Sequence, residues 1–408
     1  MLQIVNSIYN LQKRCYRITM IPRIAAPRLA ELARYYPIVA ITGPRQAGKT
    51  TLARAAFAEK PYVSLEDPDV RALAGADPRG FLSQFPDGAI FDEAQRSPDL
   101  FSYLQTRVDG DARMGLFVLT GSQQFGLMEG ISQSLAGRVG LLHLLPFSYD
   151  EIAATRAQDP LENWLTRGFY PPLHDREIPP HLWFADYLAT YVERDVRRMI
   201  QVRDLESFHR FVLMCAARTG QLLNLSSLAA DCGITHNTAN AWLGVLEASY
   251  LVMRLHPFHR NFGKRLTKTP KLYFLDPGLA AWLAGVRDSA SLISGAMRGP
   301  LFETFVVAEF VKRRRHALRD EELHFWRDAA GHEIDLLVTR GENIIAAIEC
   351  KSGRTVAEDW FAPLAKFTAL VGETRRTIIY GGDADQPRTA AAVYGWRSIG
   401  RALDKIFD

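Results

Sequence analysis

The chain has 408 residues, which is enough for two or three domains with substantial cores. Hydrophobic residues make up 48% and charged residues 23% of the sequence, proportions that exclude a disordered or low-complexity chain. The net charge of +4 is too small to indicate a nucleic-acid partner by itself, and no stretch approaches the ~18 uninterrupted apolar residues of a membrane span. The four cysteines form no C-x-x-C pair, which argues against a disulfide framework or a zinc site and favours a reducing cytoplasm.

Residues 1–20 are predicted to be a non-structural N-terminal extension. The stretch before Met20 contains Lys13, Arg14 and Arg17 but no acidic residue, and it lacks the long apolar segment of a secretory signal. A transit peptide or an upstream start codon assigned in error explains this composition, and we favour the second. Folding is expected to begin near Ile21.

A phosphate-binding loop is predicted directly after the short apolar strand Ile38–Ile41. Residues 43–50 fit G-x-x-x-x-G-K-[ST], with a helix expected to follow. The predicted nucleotide-binding residues are Gly43, Pro44, Arg45, Gln46, Ala47, Gly48, Lys49, Thr50 and Thr51. The glycines let successive N–H groups point at a phosphate, and the helix N-terminus adds its unpaired donors. Lys49 is expected to reach the β- and γ-phosphates of ATP, and the Thr50 hydroxyl to bind Mg²⁺. The structural alternative is a glycine-containing turn with a chance lysine.

A pair of acidic residues follows a later apolar strand. Pro61–Glu66 is predicted to be a strand, Leu73–Phe85 a helical crossover, and Gly88–Glu93 a buried strand that ends in two carboxylates. In this Walker B arrangement Asp92 holds the Mg²⁺ of the nucleotide and Glu93 polarises the attacking water. A carboxylate pair after a strand is also common as a helix cap, and the preceding phosphate loop is what favours the catalytic interpretation.

Two further candidates follow the predicted strand Leu116–Thr120. Ser122 is expected to sense the γ-phosphate or orient the water, or else to cap the next helix. Arg138 precedes the apolar strand Gly140–Leu145. It is interpreted either as an arginine finger, acting in its own subunit or in a neighbouring subunit of a homo-oligomer, or as a surface or inter-domain salt bridge.

The order of these parts resembles the AAA-type ATPases. More narrowly, it resembles the prokaryotic ATP-binding proteins that join such a module to an uncharacterised C-terminal domain. The resemblance implies a parallel five-stranded sheet flanked by helices, over residues 21–155. The matching residues are Gly43-Pro44-Arg45-Gln46, Phe91-Asp92-Glu93, Leu119-Thr120-Gly121-Ser122, Leu135-Ala136-Gly137-Arg138, Lys271 to Ala280 and Gly299-Pro300-Leu301-Phe302-Glu303.

Residues 156–206 are predicted to be a helical connector, and residues 207–285 a winged-helix-like segment. The expected helices are Phe208–Ala217, Leu225–Asp231 and a third capped by Thr235, followed by strands Leu251–Leu255 and Lys271–Leu275. The stretch from residue 254 to residue 271 contains six basic residues and no acidic one, namely Arg254, Arg260, Lys264, Arg265, Lys268 and Lys271. Such a wing would bind duplex DNA in a salt-dependent way. The alternative is a helical linker that packs the two ends of the chain together.

Residues 286–408 are predicted to be an α/β domain that resembles PD-(D/E)xK nucleases. Strands are expected at Leu323–Arg327, Glu333–Thr339 and Ile344–Lys351, with Glu303 on the preceding helix. The resemblance implies that Asp335 and Glu349 hold Mg²⁺ and that Lys351 orients water or neutralises developing charge. The alternative is that the acids form an ion pair with Lys351 in a domain without activity. The basic run Lys312 to Arg315 suits a DNA backbone or the solvated end of a helix.

The sequence therefore predicts a Mg²⁺-dependent ATPase of the AAA type with a DNA-associated C-terminal domain. Two alternatives stay open. One is a nucleotide-switched DNA-binding or regulatory protein with slow hydrolysis, and the other is an ATP-regulated, metal-dependent DNA nuclease. ATP and duplex DNA are the expected partners, and a homo-oligomer is compatible with either interpretation.

Overall fold

The computed structural model describes residues 20–122, 124–192, 204–258 and 268–408. The N-terminal extension, the segment 193–203 and the basic residues Arg260, Lys264 and Arg265 lie outside these ranges, so the predictions for them stay predictions. Within the described ranges, no helix combines the length and the apolar character that crossing a membrane requires.

The N-terminal part alternates strands and helices up to residue 152. Its elements are α1 (Ala26–Tyr35), β1 (Ile38–Thr42), α2 (Lys49–Ala56), β2 (Tyr62–Ser64), α3 (Pro68–Ala76), α4 (Pro78–Ser83), β3 (Ile90–Asp92), a 3-10 turn (Ala94–Arg96), α5 (Leu100–Asp109), β4 (Phe117–Gly121), α6 (Gln124–Ser134), β5 (Val139–His143) and α7 (Tyr149–Ile152). The predicted crossover Leu73–Phe85 is two helices rather than one, because Pro78 cannot continue α3 and Asp77 instead caps α4 by accepting from the Gly80 N–H.

The strands form a five-stranded sheet in the order β2-β3-β4-β1-β5. Every strand pair in it is parallel, as the resemblance implied. The side chains of β1 are buried along its whole length, since apolar clusters cover both faces of the sheet. Because all strands run in the same direction, the segments after β1, β3, β4 and β5 meet at one edge.

A helical region leads into a small sheet. Its elements are a 3-10 turn (Ala153–Arg156), α8 (Leu161–Arg167), α9 (Pro172–Asp175), α10 (Pro180–Tyr187), a π-helical turn (Leu188–Val192), α11 (Leu205–Ala216), β6 (Gln221–Leu222), α12 (Leu225–Cys232), α13 (His236–Ala248), β7 (Val252–Leu255) and β8 (Lys271–Phe274). The Thr235 hydroxyl caps α13 by accepting from the Thr238 N–H. The antiparallel sheet has the order β6-β8-β7, so the helices and strands follow the predicted order.

The C-terminal part is built on a mixed five-stranded sheet. Its elements are α14 (Pro277–Leu283), α15 (Ser289–Ser294), α16 (Arg298–His316), β9 (Glu322–Arg327), β10 (Glu333–Arg340), β11 (Asn343–Lys351), a 3-10 turn (Glu358–Phe361), α17 (Ala362–Val371), β12 (Arg375–Tyr380), β13 (Ala392–Gly395), a second 3-10 turn (Trp396–Ser398) and α18 (Ile399–Phe407). The sheet order is β13-β12-β11-β10-β9, with β9, β10 and β11 antiparallel and β11, β12 and β13 parallel.

The long helix α16 connects the two large sheets. Near its C-terminal end, His316 Nε2 accepts from the Leu145 N–H at 3.0 Å, and Glu309 Oε2 accepts from the Tyr149 N–H at 2.9 Å. Near its N-terminal end the helix carries Glu303, whose carboxylate lies close to those of Glu333 and Asp335 on the C-terminal sheet. One rigid element therefore reaches from the segment after β5 to the predicted acidic site.

Candidate functional site

The loop between β1 and α2 depends on two glycines in conformations that other residues adopt at a cost. Gly43 has φ +147°, and a Cβ atom there would lie 1.9 Å from the Leu144 carbonyl oxygen. Gly48 has φ +91° and immediately precedes α2. Lys49 is only 6% exposed, and its Nζ donates to the carbonyl oxygens of Gly43 at 3.0 Å and Pro44 at 2.7 Å. The ammonium group therefore lies within the curl of the loop.

Two side chains from outside the motif donate hydrogen bonds to residues of this loop. Arg23, which precedes α1, donates to the Ala47 carbonyl at 2.8 Å and the Leu145 carbonyl at 2.7 Å, and forms an ion pair with Glu151 at 3.0 Å. From α10, Trp183 Nε1 donates to Gln46 Oε1 at 2.8 Å. Sequence reasoning missed both, because neither belongs to a spacing pattern. Within the loop, Pro44 and Ala47 are buried and Arg45 is half-buried, whereas Thr51 is exposed on α2.

The predicted magnesium residues meet at the carboxyl ends of β1 and β3. Thr50 Oγ1 donates to Asp92 Oδ1 at 3.0 Å, and Thr120, at the end of β4, donates to the same oxygen. The Tyr62 hydroxyl donates to Asp92 Oδ2 at 2.7 Å. Burial and the adjacent carboxylate raise the pKa of Tyr62, so its hydroxyl stays protonated and remains a donor. Asp92 is thus oriented by three hydroxyl groups, two of which sequence reasoning did not identify.

Glu93 and Ser122 contact each other at the same edge. Glu93 has φ +54°, a left-handed conformation that is strained for a glutamate. Its Oε2 accepts from Ser122 Oγ at 3.1 Å and from Gln95 Nε2 at 2.5 Å. The strained backbone turns Glu93 out of the strand direction, and the two donors fix its carboxylate. Ser122 therefore contacts the predicted catalytic acid directly.

Arg138 lies at the opposite edge of the sheet. Its carbonyl oxygen accepts from the N–H of Ile38, which is the first residue of β1. The phosphate loop, in contrast, follows Thr42, the last residue of that strand. The strand between them spans ~16 Å. The guanidinium instead pairs with Asp109 at 2.5 and 2.9 Å. Parallel strands place the segment before β5 away from the edge that carries the phosphate loop, so the geometry matches the salt-bridge alternative, and the arginine finger stays a prediction.

A polar network joins the end of β1 to the segment after α13. Thr42 Oγ1 lies 2.8 Å from both His143 Nδ1 and the Tyr250 hydroxyl, and the latter two groups are 2.9 Å apart. Burial, helped by the charge of Arg315, lowers the pKa of His143 to about 4, so its imidazole is neutral at pH 7. Since Thr42 immediately precedes Gly43, this contact connects the small sheet region to the phosphate loop.

A second cluster of charged residues lies where β8, α16 and β10 meet. Lys271, 3% exposed, has its Nζ 2.5 Å from Glu333 Oε1, 2.8 Å from Glu303 Oε1 and 3.9 Å from Asp335 Oδ1. The Tyr273 hydroxyl also donates to Glu303 Oε1. Burial alone would lower the pKa of Lys271, but the surrounding carboxylates raise it above its ordinary value. The lysine is therefore charged, and sequence reasoning missed it because it was counted among the wing residues.

The other two predicted members of this cluster sit on β11. Glu349 Oε1 is 2.5 Å from Lys351 Nζ, and Asp335 Oδ2 accepts from the Cys350 N–H at 2.8 Å. Burial raises the pKa of Glu349, Asp335 and Glu303 above their usual range, and mutual repulsion between the carboxylates acts in the same direction. The structure thus brings Glu303, Asp335, Glu349 and Lys351 together.

Several basic residues assigned to DNA contact have other partners. Arg254 pairs with Glu247 at 2.6 Å, and Lys271 lies in the acidic cluster. Lys312 is fully buried and pairs with Glu309 at 2.8 Å. Lys271 and Lys312 are buried and therefore not available to a DNA backbone, because the acids that pair with them lie on other elements or one helical turn away. Arg254 remains partly exposed, and its contact with DNA stays a prediction. Lys268 is exposed.

Family models match three consecutive parts of the chain. An AAA domain matches residues 35–153, and two domains of unknown function match residues 158–290 (DUF8612) and 298–398 (DUF4143). The Walker-type ATPase PABY2304 of Pyrococcus abyssi aligns with 65% of this chain and 97% of its own, at 17% identity and a TM-score of 0.45.

Two relatives match this chain across the boundaries between these domains. They are the uncharacterized proteins Rv2008c of Mycobacterium tuberculosis and Mb2031c of Mycobacterium bovis. Each is 34% identical over 318 residues, which cover 78% of this chain and 70% of the relative. The chain therefore belongs to the family of these mycobacterial proteins, and its N-terminal part is an AAA-type ATP-binding domain.

Proposed function

We propose that the protein hydrolyses ATP with Mg²⁺ at the edge of the N-terminal sheet. The observation that carries this proposal is the hydrogen bond of 3.0 Å between Thr50 Oγ1 and Asp92 Oδ1, which places two oxygen donors beside the phosphate loop. Hydroxyl and carboxylate oxygens suit Mg²⁺, a hard cation. When bound, Mg²⁺ neutralises charge on the phosphate oxygens.

The remaining residues take roles that follow from their contacts. The backbone of residues 43–48 and the Lys49 ammonium bind the triphosphate, since the loop turns on Gly43 and Gly48. Glu93, fixed by Ser122 and Gln95, accepts a proton from the attacking water. Thr120 and Tyr62 keep Asp92 in place.

Phosphate release from ATP by purified protein tests this function. Wild type should turn over in Mg²⁺, and Lys49→Ala should reduce turnover by at least ~10²-fold, because a phosphate-loop lysine stabilises transition-state charge. Lys60→Ala is the matched control, since Lys60 donates to the carbonyl oxygens of Asp87 and Leu116, which precede β3 and β4 at the sheet edge remote from the phosphate loop. Unchanged turnover in Lys49→Ala would end the proposal.

We propose further that the bound nucleotide controls binding of duplex DNA by residues 207–285. The support is the order of α11, α12, α13, β7 and β8 together with three exposed polar residues on α13, His236, Asn237 and Asn240. Fluorescence anisotropy of labelled duplex DNA, with and without ATP and across salt concentrations, tests it. Removing the charges of Arg260, Lys264 and Arg265 should weaken binding and flatten its salt dependence; binding that is unchanged would exclude the wing.

A second candidate function is metal-dependent cleavage of DNA by the C-terminal sheet. It is favoured by the convergence of Glu303, Asp335 and Glu349 with Lys351, which the sequence predicted from one helix and two strands. Incubating duplex DNA with Mg²⁺ or Mn²⁺ and comparing wild type with Asp335→Ala tests it. Cleavage lost in the variant would support this function, and absence of cleavage in both would leave the cluster a structural ion pair.

The cytoplasm is the proposed compartment. Three cysteines in the described ranges, Cys215, Cys232 and Cys350, are buried free thiols, a state that a reducing environment preserves.

A further inference from the structure

The acidic cluster of the C-terminal sheet already contains a cation supplied by the chain. One oxygen each of Glu303, Glu333 and Asp335 lie within 4.8 Å of one another, a spacing that a single metal ion bridges. Lys271 Nζ is 2.5, 2.8 and 3.9 Å from oxygens of Glu333, Glu303 and Asp335 respectively. The lysine is the first residue of β8, so it reaches the cluster from a different sheet. The ammonium group therefore occupies the space that these oxygens define.

A second observation indicates that one lysine does not complete the site. Glu349 is 4% exposed, and its Oε2 finds no hydrogen-bond partner in the described part of the chain, although its Oε1 pairs with Lys351. A buried carboxylate oxygen without a partner is costly. Glu349 lies one register position from the pair Leu336–Ile348, beside Asp335 on the neighbouring strand. The residue with the unpaired oxygen is thus a neighbour of this group of carboxylates, through Asp335.

We propose that Lys271 acts as an internal counter-ion that closes this carboxylate site to divalent cations. A divalent cation and the Lys271 ammonium would compete for the same oxygens of Glu303, Glu333 and Asp335, because the two cations repel each other at that distance. Mg²⁺ or Mn²⁺ therefore enters only when β8 carries Lys271 away. The inference deepens the second candidate function and rests on it for the assignment of the acids, but it concerns cation occupancy and not cleavage.

A chain of contacts links β8 to the phosphate loop, so that nucleotide binding has a route by which to displace β8. β8 pairs with β7, with Leu255 opposite Lys271. The segment that precedes β7 carries Tyr250, whose hydroxyl contacts Thr42 beside the phosphate loop. The strand β8, which carries Lys271, is thus connected to the residue before the phosphate loop through β7 and Tyr250.

Mn²⁺ binding followed by electron paramagnetic resonance, without nucleotide, tests the inference on the full chain. Wild type and the control Lys268→Met, which alters an exposed lysine outside β8, should show no Mn²⁺ site that depends on Asp335. Lys271→Met keeps the side-chain length and removes the charge. It should gain an Asp335-dependent Mn²⁺ site at least tenfold tighter than any Mn²⁺ binding by wild type at the same concentrations, and Lys271→Met/Asp335→Asn should lose that site.

Two results would overturn the inference. One is a wild-type Mn²⁺ site that Asp335→Asn abolishes, because Lys271 would then not block entry. The other is a folded Lys271→Met, with normal ATP binding, that gains no Mn²⁺ affinity. If Lys271→Met does not fold, Lys271→Met/Glu303→Gln removes one charge of each sign and should still bind Mn²⁺ more tightly than wild type. Gained Mn²⁺ binding without any DNA cleavage would end the nuclease function alone.

Discussion

The Tyr250 hydroxyl lies 2.8 Å from Thr42 Oγ1, so a residue of the small-sheet region contacts the position directly before the phosphate loop. Tyr250 has φ +57°, a conformation that a tyrosine holds only when its surroundings fix it. The side chain is buried, and its other partner is His143 at the end of β5. The contact between Thr42 and Tyr250 therefore joins the phosphate-loop end of β1 to the region that carries β8.

Removing the Tyr250 hydroxyl should therefore weaken the protein measurably. We expect Tyr250→Phe to lower the free energy of unfolding by about 1 kcal/mol, the usual net value of a buried hydrogen bond. Urea denaturation measures the effect. Tyr35→Phe is the matched control, because Tyr35 is 70% exposed. Equal unfolding free energies for wild type and Tyr250→Phe would show that the network contributes nothing to stability.

The neutral state of His143 predicts a pH dependence of stability. Its folded pKa of about 4 lies below the ordinary value of 6.5, because of burial and the nearby charge of Arg315. Between those values the unfolded chain binds more protons than the folded one. Stability should therefore fall as the pH decreases from about 6.5 to 4, by up to ~3 kcal/mol from this group.

The variant His143→Gln isolates that contribution from other titrating groups. Glutamine keeps a polar partner for Thr42 and Tyr250 but does not titrate, so its unfolding free energy should depend less steeply on pH across this window. Urea denaturation at a series of pH values gives the two slopes. Identical slopes for the variant and wild type would mean that His143 is not kept neutral by the fold.

Arg23 should support nucleotide binding although it lies outside the motif. Its guanidinium, 7% exposed, holds the Ala47 carbonyl in the loop and the Leu145 carbonyl after β5. We expect Arg23→Met to weaken ATP affinity about tenfold, the equivalent of ~1.4 kcal/mol, because the loop loses the donor that fixes its outer side. Isothermal calorimetry measures the affinity. Arg28→Met, which removes an exposed arginine paired with Glu31, should bind ATP like wild type.

The phosphate loop and the strand that ends at Asp92 were predictable because their signals are local. Gly43 and Gly48 are required by backbone geometry, and an apolar run before two acids marks a buried parallel strand. The alternation of charged and apolar residues in β10 and β11 likewise placed Asp335 and Glu349 together. In each of these cases a short stretch of chain contains the whole physical constraint.

The partners that complete both sites were not predictable in this way. Arg23 and Trp183 reach the phosphate loop from positions separated from it by 24 and 137 residues. Lys271 was interpreted as a solvated wing residue, because a sequence without acids nearby cannot show that α16 and β10 bring acids to it. Such contacts arise from tertiary packing, on which residue spacing carries no information.

The contact between Ser122 and Glu93 predicts a specific loss of turnover. Ser122→Ala removes one of the two donors that fix the Glu93 carboxylate, so we expect kcat to fall about tenfold while KM for ATP stays within twofold. Glu93→Gln should bind ATP and hydrolyse it at least ~10²-fold more slowly. Ser102→Ala, an exposed serine on α5, is the control. A fall in affinity without a fall in kcat would assign Ser122 to binding.

Arg138 should be dispensable for hydrolysis. Its guanidinium pairs with Asp109 at the end of α5, at the sheet edge remote from Lys49. An arginine finger contributes ~10³ to 10⁵ in kcat, whereas an exposed ion pair contributes little to stability. We therefore expect Arg138→Ala to keep turnover within twofold of wild type.

The matched variant Asp109→Ala separates the two roles of this pair. If the residues only stabilise the loop before β5, both variants and their combination should lower the unfolding free energy by the same small amount, because each removes the same interaction. A loss of turnover above 10²-fold in Arg138→Ala alone, with ATP affinity intact, would instead mean that the arginine acts on a neighbouring subunit. Turnover per molecule would then rise with protein concentration, since the site would be complete only in the assembly.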